Sequence, residues 1–233
     1  MIVTGVTARG IIMPIFHEGD ALVEIIAQQI VKAAATEGFT LQEGDIVCVT
    51  ESIVARAQGN YVTCDEIAED VKRHFPGPVL GIYNPILSRN RAAIQLKAVA
   101  QGVEKVIIQL TYPCDEVGNA LISWDQIDEH KVNPHLQDFD EEGFAQTFGK
   151  TKHLFTGVDY VEYYKNLSDN INIVFSNDTC HLLKYTDQVL CFDVHSRQRS
   201  QRLLLQAGAK VALGLDHLMT TSIDGSGFNP TYG

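Results

Sequence analysis

A chain of 233 residues with 45% hydrophobic and 20% charged content has the make-up of a globular protein with a real core, not of a disordered or fibrous one. Its net charge of −11 argues against nucleic acid or an anionic membrane as partner, so an anionic substrate must be held by a local basic site or a metal. The five cysteines are an odd number without a CxxC pair, and they read as thiols of a reducing compartment. With neither a signal-peptide pattern nor an apolar run of transmembrane length, the expected location is the cytoplasm.

In chain order, Asp20 to Thr36 carries Leu22, Ile25, Ile26, Ile30 and Ala33 at helical spacing, with Asp20 as the expected N-cap. The β-branched Ile46, Val47 and Val49 predict a strand over Asp45 to Thr50. Ile67, Val71 and Phe75 predict a helix over Asp65 to Phe75, broken by Pro76-Gly-Pro78. A strand is expected over Val79 to Tyr83, a helix over Asn90 to Val103 and a strand over Lys105 to Leu110. Trp124 to Gly157 is more polar, with one helix near Glu141 to Phe148, and 124–157 is the candidate insertion or seam in an otherwise single domain, 1–233. Asp159 to Leu167 reads as a helix, and Ile171 to Ser176 and Val189 to Phe192 as strands. Arg197 to Gln206 reads as a helix with Gly208 at its C-terminus, and Lys210 to Leu215 as a last strand. This alternation argues for an α/β or α+β fold rather than an all-α or all-β one, and there is no internal repeat.

The chemistry concentrates where predicted strands end. Val189-Leu-Cys-Phe-Asp193-Val-His195-Ser-Arg197-Gln-Arg199-Ser-Gln-Arg202 is an apolar run that ends in a carboxylate, then a histidine and three arginines. A charge at the end of a buried strand needs a metal, a cation or a helix N-terminus. Arginine forks just beyond it suit phosphate or carboxylate. An Asp cap followed by a solvated basic helix would leave the same pattern. Three other strand ends are polar: Thr50-Glu51-Ser52; Thr111 through Asp115 and Glu116 to Asn119; and Asn177-Asp178-Thr179. Ligands of open sheets gather at carboxyl ends of strands, and such oxygen donors suit Mg²⁺ or Mn²⁺ with substrate phosphates. Ser88-Arg89-Asn90-Arg91 could hold an anion at a helix start or simply cap it. Lys150, Lys152 and His153 read as a solvated loop, and Tyr160, Tyr163 and Tyr164 as packing. The P-loop, GxGxxG, HExxH and GxSxG patterns are absent.

Pro14-Ile-Phe-His-Glu18-Gly-Asp20 and Gly44-Asp45-Ile-Val-Cys-Val-Thr50-Glu-Ser52-Ile-Val-Ala-Arg56-Ala-Gln-Gly59 resemble the N-terminal signature of the coenzyme F420-0:L-glutamate ligase (gamma-glutamyl ligase) family. Asp193-Val-His-Ser-Arg197 is similar to that family's metal segment, and Gly214-Leu-Asp-His-Leu218 through Tyr232-Gly233 to a later glycine-containing one. The resemblance implies an α+β (mixed α/β) fold, gamma-glutamyl ligase-like with mixed sheets flanked by helices, and an intertwined homodimer. It implies a GTP- and Mg²⁺- or Mn²⁺-dependent ligase that joins L-glutamate to a carboxylate of a deazaflavin cofactor precursor. Met13, Pro14 and Ile15 would border the nucleotide, and Glu51, Ser52 and Arg56 would contact its phosphates. Asp193 and Asp115 would hold metal, with Asn119 beside the nucleotide, and Arg197 and Arg199 would stabilise phosphate charge. The sequence departs from the family at Arg56, where a lysine is usual, at Val194, where a hydroxyl is usual, and in one extra residue between Asp115 and Asn119. The segment from Trp124 to Asn170 does not match it, and family members continue beyond the position of Gly233. Those departures leave a second expectation, a nucleotide- or phosphometabolite-binding relic of the ligase fold, and a third, a phosphate-ester hydrolase or transferase.

Overall fold

A computed structural model describes residues 5–89, 91–153 and 155–233. The chain divides into two compact units, Met1–Tyr61 and Val62–Gly233. The 124–157 stretch expected as an insertion or seam lies inside the second of these.

The first unit holds α1 (Leu22–Glu37) and α2 (Glu51–Ala57). Ala21, not Asp20, is the N-cap of α1, and the Asp20 carboxylate instead accepts the His17 N–H at 2.6 Å. That bond closes the Glu18-Gly-Asp20 turn one step before the helix. The strand expected over 45–50 does not form. Asp45 is spent on a turn, accepting the Gln42 N–H at 2.9 Å, and Ile46 is 86% exposed. Branched side chains favour a strand, but a strand also needs a neighbour to take its backbone groups, and among the described residues this one has none. Glu51 and Ser52 therefore start a helix rather than follow a strand.

The second unit is a six-stranded mixed sheet flanked by helices. Its elements are α3 (Cys64–His74), β1 (Val79–Tyr83), α4 (Arg91–Gln101), β2 (Lys105–Leu110), α5 (Trp124–Glu129), β3 (Phe139–Asp140), α6 (Glu141–Phe148), α7 (Tyr160–Lys165), β4 (Ile171–Phe175), β5 (Gln188–Cys191), α8 (Arg197–Gln206) and β6 (Val211–Gly214). The strand order is β3-β4-β2-β1-β5-β6. All neighbours are parallel except β3, which runs antiparallel to β4 at the edge. The sequence pattern did not reveal β3, because two residues are too few to show a period of two.

The central strands are near-continuous apolar runs, as parallel strands covered on both faces must be. Their alternation splits the core. Leu80, Ile82, Ile108, Leu110, Ile173 and Phe175 face one cluster, which α3 to α7 complete. Tyr83, Ile107, Val174, Val189 and Cys191 face the other, closed by Leu182 and by Leu204 of α8. Phe144 stacks on Phe175 with ring centroids 3.7 Å apart, locking α6 onto β4. Capping explains where the helices begin. Thr63 and Ser123 form reciprocal capping boxes with Glu66 and Gln126, and the Asp140 and Asp159 carboxylates take first-turn N–H groups of α6 and α7. Tyr160 and Tyr164 are core residues, as expected. His153 is not solvated as expected: it is 8% exposed, and its Nδ1 lies 3.0 Å from the Thr156 hydroxyl.

Candidate functional site

The strand order reverses direction at β1. β2 and β4 are laid down on one side of it, β5 and β6 on the other. Loops leaving adjacent strands at such a point run opposite ways and open a crevice at the carboxyl ends, where open sheets bind ligands. Asn84 comes directly after β1 there, and Asp193 lies two residues beyond β5.

Asp193 is fully buried, and its two oxygens are treated differently. Oδ2 accepts the Ser200 hydroxyl at 2.7 Å and the Ser196 hydroxyl at 3.1 Å. Oδ1 is buried with no hydrogen-bond partner among the described residues. Gln109 Oε1, Thr111 Oγ1 and Gln201 Nε2 are likewise buried and unpartnered, whereas the buried Asn84 side chain is hydrogen-bonded to Tyr164. Gln201 is on α8; Gln109 and Thr111 lie within one residue of the carboxyl end of β2. Native interiors leave few such atoms, and each calls for an explanation; a ligand at this edge would supply one.

The loop after β2 is built around Asp115. Asp115 is 6% exposed and accepts four hydrogen bonds. Oδ2 takes the Leu87 N–H and the Asn119 side-chain amide, each at 2.8 Å; Oδ1 takes the Val117 N–H at 3.0 Å and the Asn119 N–H at 2.7 Å. Those bonds, with the Glu116 N–H donating to the Pro85 carbonyl at 3.0 Å, fasten the loop after β2 to the segment after β1. Asp115 and Asn119, expected as a metal ligand and a nucleotide contact, are bonded directly to each other, and with the Leu87 and Val117 bonds all four acceptor positions of the carboxylate are in use. Glu116 reaches the segment after β5, its Oε2 lying 3.4 Å from His195 Nδ1. Tyr83, the last residue of β1, is within electrostatic reach of Glu116 and Asp193. Burial pushes its phenol above the ordinary value, a Thr179 hydrogen bond pulls the other way, and the carboxylates of Glu116 and Asp193 add to the rise. Burial, and then Asp193, pushes the Cys191 thiol up to about 12, which leaves it inert as a nucleophile.

Arg197 is a brace. Its Nε donates to the Asp193 carbonyl at 3.0 Å, and Nη1 lies 3.2 Å from Asp216 Oδ1. Gly214 at the end of β6 makes this possible, since a Cβ there would overlap Arg197 and Asp216. Arg199 is exposed on α8. The residues that sequence reasoning missed are Asn84, Tyr83, Gln109, Ser196, Ser200 and Gln201. The signal that could have exposed them is polarity at the ends of strands and on the sheet-facing side of a helix.

The remaining expected residues lie in the first unit. Pro14 and Ile15 are exposed, Met13 half-buried, and Glu51, Ser52 and Arg56 sit on α2. The two signature segments meet there. The Gly19 N–H donates to the Ala57 carbonyl at 2.9 Å, and Glu18 packs on Gly59 so closely that a Cβ would fall 2.6 Å from its Oε1. Asn90 and the side chain of Arg91 lie outside the described residues. Ser88 exchanges two hydrogen bonds with the Tyr164 hydroxyl, at 3.0 and 2.9 Å.

No group of three or more His, Cys, Asp or Glu side chains among the described residues is arranged to hold a metal ion. Mg²⁺ in nucleotide sites is usually held by one or two carboxylates plus phosphate oxygens and waters. The unpartnered oxygen of Asp193, with Glu116 also acting on Tyr83, fits that mode; Asp115 would have to give up loop bonds to join it.

The family model for F420-0:Gamma-glutamyl ligase matches residues 10–191. No curated protein matches the chain. The match includes both signature segments and the Asp115 loop and ends just before Asp193. The chain belongs to the F420-0:gamma-glutamyl ligase family.

Proposed function

We propose that this member of the ligase family is a GTP- and divalent-cation-dependent amide ligase. Its substrates would be a carboxylate acceptor, such as a deazaflavin cofactor precursor, and L-glutamate. The observation that carries the reading is the buried Asp193 carboxylate, with one oxygen pinned and the other unpartnered, at the switch point of the sheet. The acceptor carboxylate would take the γ-phosphoryl group of GTP to give an acyl phosphate and GDP. The α-amino group of glutamate would then attack the acyl carbon, expelling phosphate and losing a proton. No protein nucleophile is required, which agrees with a buried, high-pKa Cys191 at the crevice. Asp193 and Glu116 are the groups that would hold Mg²⁺ or Mn²⁺. When bound, the cation neutralises triphosphate charge as the phosphoryl group moves. Tyr83, kept neutral by its surroundings, can donate a hydrogen bond to an anion in the crevice. Gln201 Nε2 is a further donor without a partner, whereas Gln109 Oε1 can only accept. Arg197 holds the Asp193 backbone in place.

Two further parts of the reading rest on the surface of the chain. Val6, Ile12, Ile15, Ile46 and Val47 of the first unit are all more than half exposed, which favours a homodimer that covers them. No helix among the described residues is long and apolar enough to cross a membrane, and the cytoplasm is the proposed location.

The test is the melting temperature of the purified chain with GTP, ATP or GDP, with and without Mn²⁺ or Mg²⁺, followed by phosphate release with glutamate and acceptor. The proposal expects a metal-dependent shift, largest with GTP and lost in Asp193→Asn, whose fold survives. Binding without turnover under any acceptor would instead establish the relic. Phosphate release that ignores glutamate would establish the hydrolase.

A further inference from the structure

We propose that Ser200, seconded by Ser196, is a positioning residue that turns Asp193 Oδ1 toward the cation. The inference rests on the proposed ligase site and concerns how this chain builds it. Residues 196, 200 and 204 succeed one another at four-residue intervals on α8, so they share the face turned to the sheet. Leu204 on that face is fully buried in the core. Ser200 is equally enclosed, at 1% exposure, where packing alone would favour an apolar side chain. A serine within a helix usually turns its hydroxyl to the carbonyl four residues back. Here the Ser200 hydroxyl reaches Asp193 Oδ2 at 2.7 Å instead. Ser196, at the N-cap of α8, makes no capping bond because its hydroxyl donates to the same oxygen at 3.1 Å.

The oxygens of an ionised carboxylate are equivalent until something distinguishes them. Two hydroxyls on one oxygen use it up and fix the torsion of the side chain. The Arg197 Nε bond to the Asp193 carbonyl fixes the backbone from which it springs. The other oxygen is left buried, unpartnered and rotationally fixed, which is the state of a pre-organised cation ligand. With a single hydroxyl the carboxylate could turn Oδ1 back onto its own helix.

The experiment is a titration of the full chain with Mn²⁺ at saturating GDP, with free Mn²⁺ read by electron paramagnetic resonance. Melting temperatures without metal serve as the folding control. Ser200→Ala should weaken Mn²⁺ binding about 10- to 100-fold, the usual effect of losing an outer-shell partner, with little change in the metal-free melting temperature. Ser200→Thr, which keeps the hydroxyl, should recover most of the affinity. If Ser200→Ala does not fold, the half-buried Ser196→Ala carries the test, with a loss of the same sign. Asp193→Asn separates the two levels. If it leaves Mn²⁺ affinity unchanged, the site reading itself fails. If it abolishes binding while Ser200→Ala and Ser196→Ala bind like the parent, the site stands and the positioning role is refuted.

Discussion

Replacing Asp115 with alanine separates two jobs that the same carboxylate could perform. The geometry makes it the knot of the loop after β2, with three backbone N–H groups and one side-chain amide donating to it. The Leu87 N–H is buried, so its loss of an acceptor carries the desolvation penalty of an unmet donor, about 1–3 kcal/mol. The Val117 and Asn119 N–H groups are only part-buried, so water can replace the carboxylate at a cost of roughly 0.5 kcal/mol each. The sum is about 3 kcal/mol, a large share of the 5–15 kcal/mol typical of a folded domain. In urea, with a slope of about 2 kcal/mol per molar, the midpoint should fall by roughly 1.5 M. Asp115→Asn keeps one acceptor oxygen for Val117 and Asn119 but turns an NH₂ toward Leu87, so it should lose about 2 kcal/mol. Both measurements are made in EDTA, where a metal ligand with no other role would show no loss and could even relieve buried charge. A fall under 0.5 kcal/mol for Asp115→Ala, together with lost Mn²⁺ binding, would overturn the loop-knot argument and restore Asp115 as a ligand.

Two further perturbations probe other parts of the chain. Gly59 sits at φ +65° against Glu18, so Gly59→Ala should cost about 1–2 kcal/mol and speed exchange of the Gly19 amide roughly tenfold; unchanged exchange would show that the turn does not depend on α2. His181 is buried with Nδ1 2.8 Å from Asp138 Oδ2, and burial holds its pKa below 6.5 despite that carboxylate. The unfolded chain then takes up the His181 proton more readily than the folded one, so this contribution is whole above pH 6.5 and is lost as pH falls through that value toward the folded pKa. Asp138 does not blur the window: burial works against its charged form, but Ser176, Lys184 and His181 outweigh it and keep its pKa below 3.8. Urea stability between pH 7.5 and 5 should fall less steeply in His181→Phe than in the parent, and equal slopes would refute the assignment.

Much of the second unit was legible because its signals are local. β1, β2, β4 and β5 are short apolar runs between turn residues, and α3, α6 and α8 carry their faces at helical spacing. The first unit was less legible. Ile46, Val47 and Val49 have the side chains of a strand, but a strand is a property of two segments, and the partner is not encoded in that run. In the candidate site, Asp193, Arg197, Asp115 and Asn119 stood out by type and spacing. Arg197 looked like a phosphate fork, yet its Nε and Nη1 are turned to the Asp193 carbonyl and Asp216, neither of which its spacing names.

By itself, then, the sequence determined most of the elements of the second unit, the family to which the chain belongs and the carboxylates at the ends of its strands. Periodicity, capping residues and motif spacing act within a few residues of one another and survive in the linear record. The order of the strands was decided only by the tertiary structure, and with it the place where Tyr83, Glu116 and Asp193 come within reach of one another. So was the division of labour between the two oxygens of Asp193, because a carboxylate distinguishes them only through the groups that the folded chain sets against each.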